Sequence, residues 1–303
     1  MEKRNLIFVV LNYMNDEDTV ECVDSIVENI DTDSYQIIIV DNNSPDGSGK
    51  RLQEHYQGKN EHIVVLLNPE NKGNSEGWNY GIRYAKEHYE FEFISLPDND
   101  CVFLETRFYE KTKAEFEKSN FAVMGPMILT PTGRCDANPI FDLPYTRKAA
   151  LYDLKMIELK KKRIERGTYE ISAKIRYVAK RLFPKLFSKK ESRYRRFEGS
   201  FLERQENVVL HGCFLILSKV FFDHFEQLDV RSFMYAEEDI LYMHVTHENL
   251  KTVYNPRIIA YHKGDGSTKK ANKTPKKAEL FRCEKSIEAI NGYLSLLDEL
   301  GIE

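Results

Sequence analysis

Short runs of apolar residues alternate, through the first 130 positions, with segments whose apolar residues recur at helical spacing. The strand-like runs are Leu6–Leu11, Gln36–Val40, Ile63–Leu67, Phe91–Leu96 and Phe121–Gly125. Between them the spacing predicts helices over Glu17–Asn29, Gly49–Tyr56, Gly77–His88 and Arg107–Ser119. In the first of these, Val20, Val23, Ile26 and Val27 fall on one stripe. Strands that are apolar on both faces need cover on both faces, so the alternation predicts an α/β fold with a mostly parallel, doubly wound sheet. Ligands of such sheets bind beyond the carboxyl ends of the strands.

The pattern changes over residues 140–206. Ile171, Ile175, Val178, Leu182 and Leu186 recur at helical spacing among Lys174, Arg176, Lys180, Arg181 and Lys185. This predicts a basic amphipathic helix, bent or ended near Pro184. Sheet-like sequence returns at Val208–Leu217, a helix follows at Lys219–Leu228, and another begins near Glu237–Asp239. Val253 to Tyr261 reads as one or two short strands. Residues 268–277 read as a basic loop, and the tail from Pro275 as a helix with Ile287, Ile290, Leu294 and Leu297 on one stripe. The expected organisation is two halves of one α/β domain, residues 1–139 and 207–268. A basic helical insertion (140–206) separates them, and a basic loop with a C-terminal helix (269–303) follows.

Composition sharpens this picture in two places. Five scattered cysteines with no CxxC pair fit a reducing compartment and argue against a thiolate zinc site. No stretch approaches the roughly 20 consecutive apolar residues of a membrane span. The apolar start runs into NYMNDEDT with no small-residue cleavage site, so the expected location is cytoplasmic. The net charge of −4 conceals an asymmetry, because residues 151–200 hold sixteen Lys and Arg against six Asp and Glu. That surplus predicts that segment 160–196 faces an anionic partner, such as the inner surface of an anionic bilayer. A solvated helical face or a self-association surface is the alternative. No nucleic-acid partner is expected.

Three acidic clusters flank the regular elements. Asp41, in VDNNSPDGS, ends a strand and either caps a turn or accepts hydrogen bonds from a nucleotide base or ribose. Asp98-Asn99-Asp100 follows the apolar run FISLP at once. Two carboxylates this close repel unless something positive lies between them, and acid-x-acid on a strand tip suits a hard divalent cation such as Mg²⁺ or Mn²⁺. Glu237, Glu238 and Asp239 open a helix, where acids are favoured by the macrodipole. A carboxylate among carboxylates is also raised toward use as a general base.

Seven fragments in order, VVLNY, VDNNSPDGS, NPENKGNSEGWNYG, LPDNDC, LHGCFLILS, FMYAEED and YHKGDGST, together resemble family 2 of the nucleotide-sugar glycosyltransferases, whose fold is called GT-A. The resemblance covers roughly residues 5–135 and 206–268. It implies inverting transfer of a sugar from a nucleoside diphosphate to an acceptor hydroxyl, the acceptor being a glycan or lipid-linked glycan of a surface polysaccharide. By position it implies that Asp41 contacts the base or ribose, that Asp98 lies near the ribose and that Asp100 ligands Mn²⁺ or Mg²⁺. His262 resembles a histidine that helps hold the metal or diphosphate. Asn12, Asn43, Gly73, Asn79 and Gly212 complete the implied donor site, and His211 is a weaker candidate. The implied base is Asp239, with Glu238 second because the alignment of EED can slip by one. Where the family has Gly-Asn-x-Gly, this chain has Trp78-Asn79-Tyr80-Gly81, and Trp78 reads as packing. A non-catalytic sugar-nucleotide or glycan-binding subunit is the alternative. A nucleotidyltransferase would need a glycine-rich basic loop after the first strand, which LNYMNDEDT does not supply.

Overall fold

The computed structural model describes residues 1–169, 181, 200–264 and 275–302. The strands are β1 (Glu2–Lys3), β2 (Leu6–Asn12), β3 (Tyr35–Asp41), β4 (Ile63–Leu67), β5 (Tyr89–Glu90), β6 (Phe93–Pro97), β7 (Cys101–Phe103), β8 (Val123–Leu129), β9 (Gln205–Glu206), β10 (Phe214–Ser218) and β11 (Thr252–His262). The helices are α1 (Asp16–Asn29), α2 (Ser48–Tyr56), α3 (Asn74–His88), α4 (Phe108–Ser119), α5 (Arg147–Glu165), α6 (Lys219–His224), α7 (Glu237–His247) and α8 (Pro275–Glu299).

Among the described residues nine strands form the main sheet in the order β4-β3-β2-β6-β10-β8-β11-β7, with β9 beside β11; β1 and β5 form a small parallel pair. Alternation along each strand divides the core. Leu6, Phe8, Val10, Ile37 and Ile39 face α1, α2 and α4, through residues such as Val23, Leu52 and Phe108. Ile7, Val9, Ile38 and Val40 face α3 and the α6–α7 region, through Ile82, Phe221 and Val245. Both faces are covered, which is why these strands carry no polar alternation.

The sheet is more mixed than the apolar runs predict. β4, β3, β2 and β6 are parallel, but β10 runs antiparallel to both β6 and β8, and β7 antiparallel to β11. Reversal of β10 matters for the site, because its first residue, Phe214, pairs with the last residue of β6, Pro97. Val253–Tyr261 lies within one long strand, Thr252–His262, with an irregularity between Asn255 and Ile259. Only Phe214–Ser218 of the run from Val208 is a strand, and the helix expected to reach Leu228 stops at His224.

A third apolar cluster joins α5 to α8 and to one face of α7, with Tyr145, Ala150, Val209, Ile240, Met243, Tyr293 and Leu297 among its members. Ion pairs reinforce it: Lys161 reaches Glu284 at 2.9 Å and Lys160 pairs with Glu279. The first lysines of the basic segment are therefore neutralised by acids of α8. The basic helix expected at 174–190 lies outside the described residues.

Candidate active site

Every strand that contributes to the site does so at one edge of the sheet. Asn12 and Asp41 end β2 and β3 in mutual register. β6 ends at Pro97, and the Asp98 amide donates to the Cys213 carbonyl at 2.7 Å, which fastens the acidic turn to the start of β10. Three residues on from Asp98, Cys101 pairs with His262 at the end of β11. Sheet pairing thus brings together residues some 160 positions apart in the chain.

The result is a group of three ligand-type side chains, Asp98, Asp100 and His262, whose candidate ligand atoms lie within 4.8 Å of one another. His262 Nε2 is 3.1 Å from Asp100 Oδ1. Burial, and then the charge of Asp100, push the Asp98 carboxyl up to about 6. Burial opposes the charged form of His262, yet the hydrogen bond with Asp100 and the neighbouring negative groups outweigh it and push the imidazole up to about 9. The Asp98 shift reflects burial first and the neighbouring carboxylate second, and the His262 shift reflects the negative groups around it. Two carboxylates are ligands of the kind Mn²⁺ and Mg²⁺ take, and the imidazole beside them favours the transition metal of the two. His211, whose Nδ1 accepts from the Cys213 amide at 3.0 Å, is lowered instead, chiefly by burial.

A second wall is the first turn of α7. Tyr235 and Ala236 precede it with φ of 71° and 62°, left-handed values that L-residues hold only at some cost and that often mark functional sites. They turn the chain so that Glu238 meets the Gly212 amide, which donates to its Oε1 at 3.2 Å. A Cβ at Gly212 would lie 3.0 Å from that same oxygen, so glycine permits the approach. Asp239 goes elsewhere. It is buried, accepts from the Tyr145 amide at 3.0 Å, and does not line the adjoining cavity of about 570 Å³, which Asp98, Glu237 and Glu238 do. Asp239, the first choice as base from the sequence, thus faces the core, whereas Glu238, the second, faces the cavity.

The sequence model of glycosyl transferase family 2 matches residues 7–225. The chain belongs to glycosyl transferase family 2. The match includes the basic segment and stops short of Glu238 and His262. Solved structures agree on the fold. A crystal structure of GalNAc-T7 with UDP, GalNAc and Mn²⁺ is 12% identical, with a TM-score of 0.57; the alignment covers 98% of this chain and 50% of that one. S. aureus TarS is 13% identical with a TM-score of 0.50, covering 86% of this chain and 37% of that one. This family 2 chain therefore has the GT-A fold and spans half or less of the length of these structural relatives. No curated protein sequence matches it.

The remaining residues of the family 2 resemblance divide into those at the site and those that support it. Asn12 Nδ2 donates to Asp41 Oδ1 at 2.7 Å, and the Ser44 amide donates to Asp41 Oδ2 at 3.0 Å. Asp41 is thus buried and clamps its own turn, with Gly49 packed so closely that a Cβ there would lie 2.5 Å away. From Asn12 the hydrogen bonds continue through Thr19 to Asn99, which ties the Asp41 strand tip to the acidic turn. Asn43 is exposed beside them with φ of 60°. Asn79 is fully buried and clamps the backbone of Leu228 from both sides, donating to its carbonyl and accepting from its amide at 2.8 and 2.9 Å. Expected at the donor site, it instead spends both ends of its amide on holding Leu228, a residue of the cavity wall. Trp78 packs in the core as expected but also lines the cavity, and Glu237, the first acid of the triplet, lines it too.

Gly73 opens α3 with φ of 104°, and a Cβ there would sit 2.1 Å from the Phe233 carbonyl oxygen. Both the backbone conformation and the contact exclude a side chain. Gly73→Ala is expected to destabilise the fold by about 2–5 kcal/mol, measured by urea unfolding.

Proposed function

We propose that the chain transfers a glycosyl group from a nucleoside-diphosphate sugar to an acceptor hydroxyl with inversion at the anomeric carbon. The observation that carries this is the meeting of Asp98, Asp100 and His262 with Glu238 at the carboxyl edge of the sheet in a family 2 chain. Asp98, Asp100 and His262 would hold Mn²⁺ or Mg²⁺, which when bound supplies charge neutralisation for a departing diphosphate. Glu238 takes the proton of the acceptor hydroxyl on the face of the sugar opposite the leaving group, as single displacement requires. Gly212 fixes the orientation of Glu238 through its amide. Asn12, Thr19 and Asn99 keep the two strand tips in fixed relation, so that little reorganisation accompanies binding.

The test is a thermal-shift screen of UDP-, GDP- and dTDP-sugars with and without Mn²⁺, followed by nucleoside-diphosphate release. One donor is expected to stabilise the protein, and only with metal, because stabilisation grows with the logarithm of ligand excess over Kd. Equal shifts for all donors with and without metal would overturn the reading.

An acceptor in surface polysaccharide synthesis, glycan or lipid-linked, is part of the same proposal, supported by the basic surplus of 151–200. None of the described helices is long and apolar enough to cross a membrane. The protein is expected to pellet with anionic vesicles and to remain in solution with neutral ones. Equal behaviour with both would remove the membrane from the proposal.

A further inference from the structure

The helix α5 (Arg147–Glu165) carries two unlike faces. One packs against α8. Ala150 is buried there, Leu154 and Ile157 are half-buried in the shared apolar cluster, and Arg147, Lys160 and Lys161 pair with Asp298, Glu279 and Glu284. On the opposite side, at about 100° per residue, a second line runs along the helix. Its apolar members are Leu151, Tyr152 and Leu159, exposed by 51%, 47% and 37%. Its charged members are Lys148, Lys155, Lys162 and Arg163, all exposed.

None of these four cations has an ion-pair partner among the described residues, whereas each cation turned toward α8 has an acid. No acid lies on the outer line; Glu158 sits at its margin. A leucine exposed by itself needs no explanation, but here leucines and unneutralised cations are interleaved in one stripe. The stripe restricts its occupant in charge and in shape. From Lys148 to Arg163 it runs about 22 Å along a convex surface, so what covers it is anionic, broad and apolar beneath the charge. A leaflet rich in anionic headgroups has all three properties. Lysine stems lie along such a boundary with their ammonium groups at the phosphates, while leucine and tyrosine side chains enter the acyl edge.

We propose that the outer face of α5 docks on an anionic lipid surface. The inference rests on the reading of a lipid-linked acceptor and deepens it by naming the contact, which begins at Lys148, ahead of the helix expected from the sequence at 174–190. Two residues before α5, the Tyr145 amide holds Asp239. The docking helix is thus tied to the wall of the site that carries Glu238.

The test is co-sedimentation of the full chain with vesicles of phosphatidylcholine, alone or with phosphatidylglycerol added. Each cation beside an anionic surface is worth about fivefold in binding, so Lys155→Gln/Lys162→Gln is expected to bind the anionic vesicles at least about tenfold more weakly. Lys155→Arg/Lys162→Arg keeps the charge and is expected to stay within about twofold of wild type. Leu151→Ser/Leu159→Ser is expected to lose at least about threefold, which charge alone would not produce. Thermal unfolding of these surface variants is expected to match wild type. Wild-type binding in both the glutamine and the serine pairs would overturn the inference, and a loss confined to Lys174→Gln/Lys185→Gln would move the contact to the 174–190 segment. A dimer in light scattering that the glutamine pair dissolves would mean that a second copy covers the face, and would overturn it as well. Nucleoside-diphosphate release without vesicles is expected to be unchanged in every variant. Failure to bind vesicles therefore leaves glycosyl transfer standing, whereas absence of that release in wild type would strike the transfer reading and not the lipid contact.

Discussion

Glu238→Gln is expected to lower the rate of transfer by about 10²- to 10⁴-fold while leaving donor affinity within about threefold. The amide keeps the size of the side chain and an oxygen for the Gly212 amide, but it cannot take a proton. Asp239→Asn provides the contrast. Its amide oxygen still accepts from the Tyr145 amide, so the rate is expected to stay near that of wild type. Asp239→Ala strands that buried amide and is expected to cost about 1–3 kcal/mol of stability. Steady-state kinetics on the three variants, with urea unfolding beside them, separates the roles. A large rate loss in Asp239→Asn with Glu238→Gln fully active would reverse the assignment.

The second large effect is expected at Asp100. Mn²⁺ at about 100 times its Kd should stabilise the wild-type fold by about 2.7 kcal/mol, and Asp100→Ala should abolish both this stabilisation and transfer. The pH dependence has a fixed sign. His262, held above its unfolded value by Asp100, contributes stability in the metal-free protein that is complete below about 6.5 and lost as pH rises through about 9. Asp98, also raised, likewise disfavours the metal-free fold as pH rises from about 4 through about 6. A cation displaces protons from both groups. Metal-induced stabilisation at a fixed metal concentration is therefore expected to grow between pH 5.5 and 8.5, measured by thermal unfolding. A flat profile would mean that the metal binds elsewhere.

The parallel half of the fold was legible because its strands are buried on both faces and leave an unbroken apolar mark. The direction of β10 was not, since strand direction is decided by distant pairing partners and not by the run FLILS itself. The Asp98–Asp100 turn was visible for the same reason as the strands, as an acidic tip on an apolar run. Its meeting with His262 depends on the register of β11 with β7, which no local pattern encodes. The triplet Glu237–Asp239 illustrates a narrower limit. In a helix one residue is a turn of about 100°, so an acidic triplet points three ways. The phase was present in the apolar residues that follow: Asp239 shares its face with Met243, buried against α8, whereas Glu238 shares its face with Leu241, which lines the cavity. Which way Trp78 and Asn79 point was not legible either, because a side chain's direction within a buried helix cannot be read from GWNYG.

One chain of contacts gives the C-terminal helix a part in the chemistry although it contributes no group to it. Tyr293 Oη donates to the Tyr145 carbonyl at 2.6 Å, and the Tyr145 amide donates in turn to Asp239, next to Glu238. The first turn of α7 is thereby buttressed from behind by α5 and α8. Loosening of that buttress, by truncation or by a partner that pulls on α8, would be felt as a misaimed Glu238 while the nucleotide half of the molecule stayed intact.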